Sequence, residues 1–386
     1  MFPHPAHRCA HLMSGNKLKI AYVIARGDAF GGSSLHVCDL ARRLTDDGHV
    51  VRIFVGGTPD MEVPQRLAAK DLDFQCIPEM GRSISPGRDT KALLALRKKV
   101  RQFSPHLVST HASKAGVVGR LACVGMRLPV IYTPHCWSFA EGFPNANIYR
   151  WIERCLAPFA TRIITVCEQE REYGLSQGVG TSAKTICVHN GVTDFDGSSN
   201  GHDARTTDQT PLILMVARFE QQKDQELLLR SLGDNRDLDW RLTLVGDGPR
   251  KEACEEVARQ CGIFSRVEFA GYSNRVEAYL GRADIFALIT NWEGFPRSIL
   301  EAMRAGLPAI VSDVGGCGES VSDGVTGRVV RHGDRKHLAG ALRELLSDRE
   351  QRLEMGIRAR ETYAEKFTFD TMCEKYLNIY RTLCSS

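Results

Sequence analysis

The 386-residue sequence has no run of 18 or more apolar residues, so it offers no segment able to cross a bilayer as a helix. Its first 16 residues lack the apolar core of a signal peptide, which makes the cytoplasm the expected compartment. Thirteen cysteines, an odd number, run from Cys9 to Cys384 without a Cys-x-x-Cys pair or a Cys/His cluster at zinc spacing. They read as reduced, mostly buried small hydrophobes, not as a disulfide framework or a metal module. The basic residues form no aromatic-interleaved stretch, so nucleic acid is not an expected partner.

Charge is present but unevenly divided. The net charge is +4, yet residues 1–190 hold 24 Lys and Arg against 15 Asp and Glu. The remaining residues hold 26 against 31, so the first half is basic and the second acidic. A basic first half points to an anionic partner or surface. At this length two domains of ordinary size, each with its own core, are expected.

From Leu18 short apolar runs alternate with amphipathic stretches. Lys19–Ala25, Val50–Val55, His106–Ser109, Pro129–Thr133 and Arg162–Val166 read as strands, and Ser33–Thr45, Asp89–Phe103 and Ser113–Val124 as helices. Residues 193–210 are polar, aperiodic and rich in Gly and Ser, which marks a linker. A second alternation follows, with strands at Leu212–Ala217, Arg241–Val245, Val267–Phe269, Asp284–Ile289 and Pro308–Ser312. Its helices are expected near Asp224–Ser231, Lys251–Cys261, Ser273–Gly281 and Pro296–Ala305. This order predicts an α/β protein of two facing Rossmann-like domains, residues 17–192 and 211–366, with an interdomain cleft where strand C-terminal ends converge. The amphipathic tail, residues 367–386, is expected to return to the first domain.

The most informative stretch is Glu293-Gly294-Phe295-Pro296-Arg297-Ser298-Ile299-Leu300-Glu301. A strand, a tight turn and a helix start there would aim free backbone amides at an anion, with Pro296 suited to the first helical turn. Glu293 and Glu301 could each accept two hydroxyl hydrogen bonds, as a ribose and a hexose would offer. As a pair alone they would more ordinarily be surface charges. Arg218 and Lys223, after the first strand of the same domain, supply a planar fork and a point charge for a diphosphate. In the first half Gly31 and Gly32 sit between a strand and a helix, where a backbone can approach a ligand, and Ser33 or Ser34 could cap that helix. His135 follows a strand end and could contact a hydroxyl or take a proton. His111 is the weaker of the two, since Ser109–Ser113 could serve to cap the next helix.

Together these residues resemble the retaining family 4 glycosyltransferases of GT-B fold, over about residues 17–382. The two-glutamate motif is matched by Glu293 and Glu301, the Gly-Phe-Pro by residues 294–296, and the Glu-Ala-Met-x-x-Gly-x-Pro by residues 301–308. Arg218, Lys223, the pair Gly31-Gly32, Asp313-Val314-Gly315-Gly316 and Glu319 fit as well. The chain departs from the pattern at Cys136, where a glycine usually follows the histidine, and at Cys317-Gly318, where an apolar residue and Pro are usual.

The resemblance implies a nucleoside-diphosphate sugar donor, a UDP-sugar on family frequency, and a sugar or lipid-linked sugar acceptor. Glu301 would bind the ribose, Arg218 and Lys223 the diphosphate, and backbone near Phe295–Leu300 the phosphates and donor sugar. Glu293 would hold donor-sugar hydroxyls and His135 would line the reaction centre. Transfer would proceed with retention, fixed cations replacing a metal, and no cofactor is implied. Ser109–Gly116 and Tyr132–Phe139 resemble enzymes of bacterial surface polysaccharide assembly on lipid carriers. With the basic first half, this makes Lys91–Arg101 a candidate membrane-facing helix at the inner face of the plasma membrane. An epimerase or hydrolase of the same architecture would act on donor alone, and a non-enzymatic sugar-nucleotide sensor would bind it without turnover.

Overall fold

The computed structural model describes residues 17–81, 83–140, 145–194 and 210–385. Most of the expected linker, residues 195–209, and the first 16 residues lie outside that range. The chain forms two compact units. The first runs to Tyr132 and adds Phe159–Thr161 and Ile379–Ser386; the second comprises Thr133–Pro158 and Arg162–Asn378.

In the first unit β1 (Lys19–Ile24), β2 (Val50–Gly56), β3 (Phe74–Ile77), β4 (Leu107–His111) and β5 (Val130–Thr133) follow the order β3-β2-β1-β4-β5. β1 pairs in parallel with β2 and β4, and β2 with β3. The central strand reads as a continuous apolar run because helices cover both of its faces: Ile20, Ala21, Tyr22 and Val23 are all fully buried. In the helix Pro86–Phe103, Ala92, Leu96, Val100 and Phe103 recur at three- and four-residue spacing and pack in the core with Phe54 and Val108. Gly116, in the helix Ser113–Ala122, lets that helix approach Tyr132, whose Cε2 would lie 2.3 Å from an added Cβ. The end of the last helix, Phe369–Ser385, contributes to this unit, with Tyr380 Oη 3.1 Å from Tyr22 Oη.

In the second unit β6 (Arg162–Thr165) pairs in parallel with β7 (Thr185–Cys187). A six-stranded, wholly parallel sheet is formed by β8 (Leu212–Val216), β9 (Arg241–Val245), β10 (Val267–Gly271), β11 (Ile285–Leu288), β12 (Ala309–Ser312) and β13 (Gly327–Val330). Its order is β10-β9-β8-β11-β12-β13, with the chain reversing direction across the sheet between β8 and β11. In open parallel sheets that switch point is where strand-end loops diverge and leave room for a ligand. The loops after β8 and β11 carry Lys223 and Glu293.

Three strands were not expected. β3 and β7 are four and three residues long, too short for alternation to register, and β13 begins at Gly327. Two capping expectations are corrected. Gly31 is the N-cap of the helix Gly32–Asp46, which places Ser33 and Ser34 inside its first turn with no side-chain cap. The helix after β4 is preceded by Ala112 at φ +65, while Ser109 Oγ instead lies 3.0 Å from His111 Nε2.

Candidate active site

The loop leaving β8 is fixed to its neighbours by backbone hydrogen bonds. Ala217 N donates to Val245 O at 2.9 Å and Phe219 N to Asp247 O at 3.0 Å. Gly246 (φ +144) permits this approach, since a Cβ there would fall 2.0 Å from Ala217 O. At the far end of the loop Asp224 N donates to Ile289 O and Asn291 N to Gln222 O, at 2.9 and 2.8 Å. Asp224 then caps the helix Gln225–Gly233 through Leu227 N. These contacts join the loop to the segment that follows β11.

Lys223 is thereby brought onto Glu293. Lys223 Nζ forms an ion pair with Glu293 Oε1, and the two side chains are only 15% and 9% exposed. Thr290 Oγ1 lies 3.1 Å from the same oxygen. Arg218 is not gathered in: its side chain is 58% exposed and pairs with Glu220 at 2.6 Å.

After Glu293 the chain is packed by glycines. A Cβ on Gly294 would fall 2.4 Å from His135 O, so the turn lies directly against the backbone that carries His135. On its other side Gly316 N donates to Gly294 O at 2.6 Å, and a Cβ on Gly315 would fall 2.0 Å from Glu293 O. The side chain of Phe295 is buried, its ring 4.7 Å from that of His189 and 5.4 Å from that of Phe367, while Asn190 Nδ2 donates to its carbonyl at 2.7 Å. Pro296 is the N-cap of the helix Arg297–Arg304, one residue earlier than expected, and no side chain caps that helix. The first-turn amides of a helix so begun point the way an anion would approach. Leu300 is buried in the core, and Glu301, the fifth residue of the helix, is half-buried.

His135 and Cys136 have φ of +62 and +157, conformations that side chains rarely adopt. Burial lowers the His135 imidazole to about 3, so it is neutral at ordinary pH and suited to hydrogen bonding. The Cys136 thiol is pushed well above its usual range, first by burial and then by Glu170 and Glu293, which makes it a poor nucleophile. Gly31 and Gly32 lie in the other unit, where a Cβ on either would meet nothing within 4 Å.

Sequence reasoning missed Thr290 and the glycines Gly246 and Gly248. Thr290 carried no motif signal of its own. The pair Gly246 and Gly248 stood in plain view as Val-Gly-Asp-Gly-Pro after a strand. Glu319, a motif match in the sequence, accepts from Glu168 N and Gln169 N at 2.9 and 2.6 Å, capping the helix Glu168–Ser176, and from His189 Nε2 at 2.9 Å. These hydrogen bonds hold its carboxyl below the usual range although burial opposes them.

Residues 202–362, which carry Lys223, Glu293 and Glu301, match the family model described as glycosyl transferases group 1, and residues 31–191, which carry His135, match the glycosyl transferase 4-like domain. The chain belongs to this glycosyltransferase family. The enzyme is 27% identical over 288 residues to an Escherichia coli UDP-Gal:alpha-D-GlcNAc-diphosphoundecaprenol alpha-1,3-galactosyltransferase, covering 71% of this chain and 74% of that one. To the E. coli O-antigen biosynthesis glycosyltransferase WbnH it is 27% identical over 293 residues, covering 75% and 81%. Among solved structures the glycosyltransferase is similar to Anabaena HepE in complex with UDP and glucose, with a TM-score of 0.81 at 21% identity, covering 95% of this chain and all of that one. Both units thus form the paired Rossmann-like fold of GT-B glycosyltransferases.

Proposed function

We propose that this glycosyltransferase moves a sugar from a UDP-sugar to an acceptor hydroxyl with retention of anomeric configuration, in assembly of a bacterial surface polysaccharide or glycolipid. The observation that carries the reading is the Lys223–Glu293 pair beside the proline-led start of the helix Arg297–Arg304. A cation and a helix N-terminus there meet a diphosphate, while a carboxylate meets sugar hydroxyls. UDP is supported by the relative that uses UDP-Gal and the structural neighbour that holds UDP.

In this reading Glu301 takes the ribose hydroxyls and Glu293 those of the donor sugar. Phe295, Pro296 and Leu300 shape the turn and helix that present Gly294 and the amides. Lys223, joined by Arg218 once it exchanges Glu220 for phosphate, stabilises charge as the nucleoside diphosphate departs. The neutral His135 hydrogen-bonds at the reaction centre, and Gly31 and Gly32 leave room for backbone contact with a ligand. The acceptor hydroxyl attacks on the face from which the diphosphate leaves.

The acceptor is a sugar or a lipid-linked sugar, and we place the enzyme in the cytoplasm with peripheral contact at an anionic membrane. Among the described residues no helix is long and apolar enough to cross a membrane. The helix Pro86–Phe103 exposes Lys91, Leu94, Lys98 and Arg101 on one stripe, and within the described residues Lys91, Lys98 and Arg101 form no ion pair. Such a stripe suits anionic headgroups.

A thermal-shift panel of UDP-, GDP- and ADP-sugars tests the donor. The cognate one raises the melting temperature by mass action, and Glu301→Ala removes that rise. A rise retained in the variant would overturn the ribose assignment. Incubation with donor and lipid-linked acceptor should yield an α-linked product from an α-linked donor, and conversion of donor alone would favour an epimerase or hydrolase.

A further inference from the structure

Thr290, 1% exposed just beyond the end of β11, touches Glu293 but has been given no role so far. Its hydroxyl has one proton and three neighbours that can only accept: Gln222 O at 2.9 Å, Glu293 Oε1 at 3.1 Å and Trp292 O at 3.4 Å. Its backbone is fixed on both sides, by N–H donation to Ser312 Oγ at 3.0 Å and by an isolated antiparallel bridge to Lys223. A β-branched side chain on a held backbone has little rotamer freedom, so the hydroxyl oxygen stays where it is.

While Lys223 sits on Glu293 Oε1, that oxygen already has a charged donor, and the shorter contact to Gln222 O suits the hydroxyl proton. A donor diphosphate would draw the Lys223 ammonium toward phosphate oxygens and weaken its hold on Glu293. The carboxylate then becomes the stronger acceptor, and rotation about the Cβ–Oγ1 bond is enough to deliver the proton.

We infer that Thr290 is a positioning residue: its hydroxyl keeps Glu293 oriented toward the donor sugar when Lys223 turns to the diphosphate. This rests on the sugar-nucleotide reading of the site. It separates two properties, because Thr290 acts on the sugar through Glu293 and not on the nucleotide.

The test is calorimetric titration of wild type, Thr290→Val and Thr290→Ser with UDP and with UDP-glucose, UDP-galactose and UDP-N-acetylglucosamine. Thr290→Val should bind UDP within about twofold of wild type but lose about tenfold of the extra affinity given by the sugar, as for one hydrogen bond to a charged group. The kcat should fall similarly, and Thr290→Ser should restore both. Equal losses for UDP and UDP-sugar would mean a merely structural role and overturn the inference, as would an unaffected Val variant or failure of Ser to rescue. Should Thr290→Val not fold, Thr290→Ala gives the same comparison. Absence of sugar-nucleotide binding by wild type would instead remove the underlying reading, a result distinct from any variant effect.

Discussion

Lys223 and Glu293, 70 residues apart in sequence, form an ion pair in which both side chains are largely buried. Removing one partner strands the other charge. Lys223→Met should therefore destabilise the protein by about 3 kcal/mol, and the double change with Glu293→Gln by distinctly less. Urea unfolding of wild type, Lys223→Met, Glu293→Gln and the double variant measures this, and additive losses would show that the pair is not coupled.

Gly294→Ala should be costlier than an exposed substitution. Its Cβ would sit 2.4 Å from a backbone oxygen, that of His135, which no side-chain rotation can relieve. A loss of about 1–3 kcal/mol is expected, the usual range for overpacking, with a fall in turnover because the His135 segment must shift. Full activity in a stable variant would mean that the turn is looser than these contacts require.

Cys136 occupies a φ of +157 that glycine adopts freely. Cys136→Gly should relieve strain of about 1–3 kcal/mol, less about 0.5–1 kcal/mol for the more flexible unfolded chain. A net gain of about 1 kcal/mol in urea unfolding is the expected result. A loss would assign the thiol a packing role that outweighs its backbone.

Glu170 sets a pH dependence. Burial raises its carboxyl to about 8, against a lowering by the Val166 N–H, which it accepts at 3.0 Å, and a further rise from Glu319. The folded state thus keeps a proton that the unfolded chain releases near 4.5, so this contribution is present at low pH and is lost as pH rises toward 8. His135, with its lowered pKa, works in the opposite sense: its contribution is present above about 6.5 and fades on acidification. Subtracting the stability profile of Glu170→Gln from that of wild type isolates the first term, and the difference should fall between pH 5 and 8. A flat difference would show that Glu170 is ionised in the folded protein.

Much of the fold was legible because parallel strands buried on both faces must be apolar throughout. Leu212–Val216 and Ile285–Leu288 are such runs, and the structure ends them within a residue or so of the expected limits. β3 and β7 escaped because three or four residues with polar members, such as Gln75 and Thr185, carry no period. At the site, the strand-turn-helix around Glu293 was readable from local chemistry. That Lys223 pairs with Glu293, that Arg218 pairs with Glu220, and that Glu319 caps a helix 150 residues away were not.

The sequence by itself determined the alternation of strand and helix, the glycosyltransferase family and the residue types available for a sugar nucleotide, because these follow from local periodicity and from motifs of fixed spacing. The tertiary structure alone decided which charge meets which, how closely glycines let Gly294 and His135 approach, and where a lone threonine hydroxyl stands. Those depend on backbone segments tens of residues apart being held within hydrogen-bond distance, and no local pattern encodes that distance.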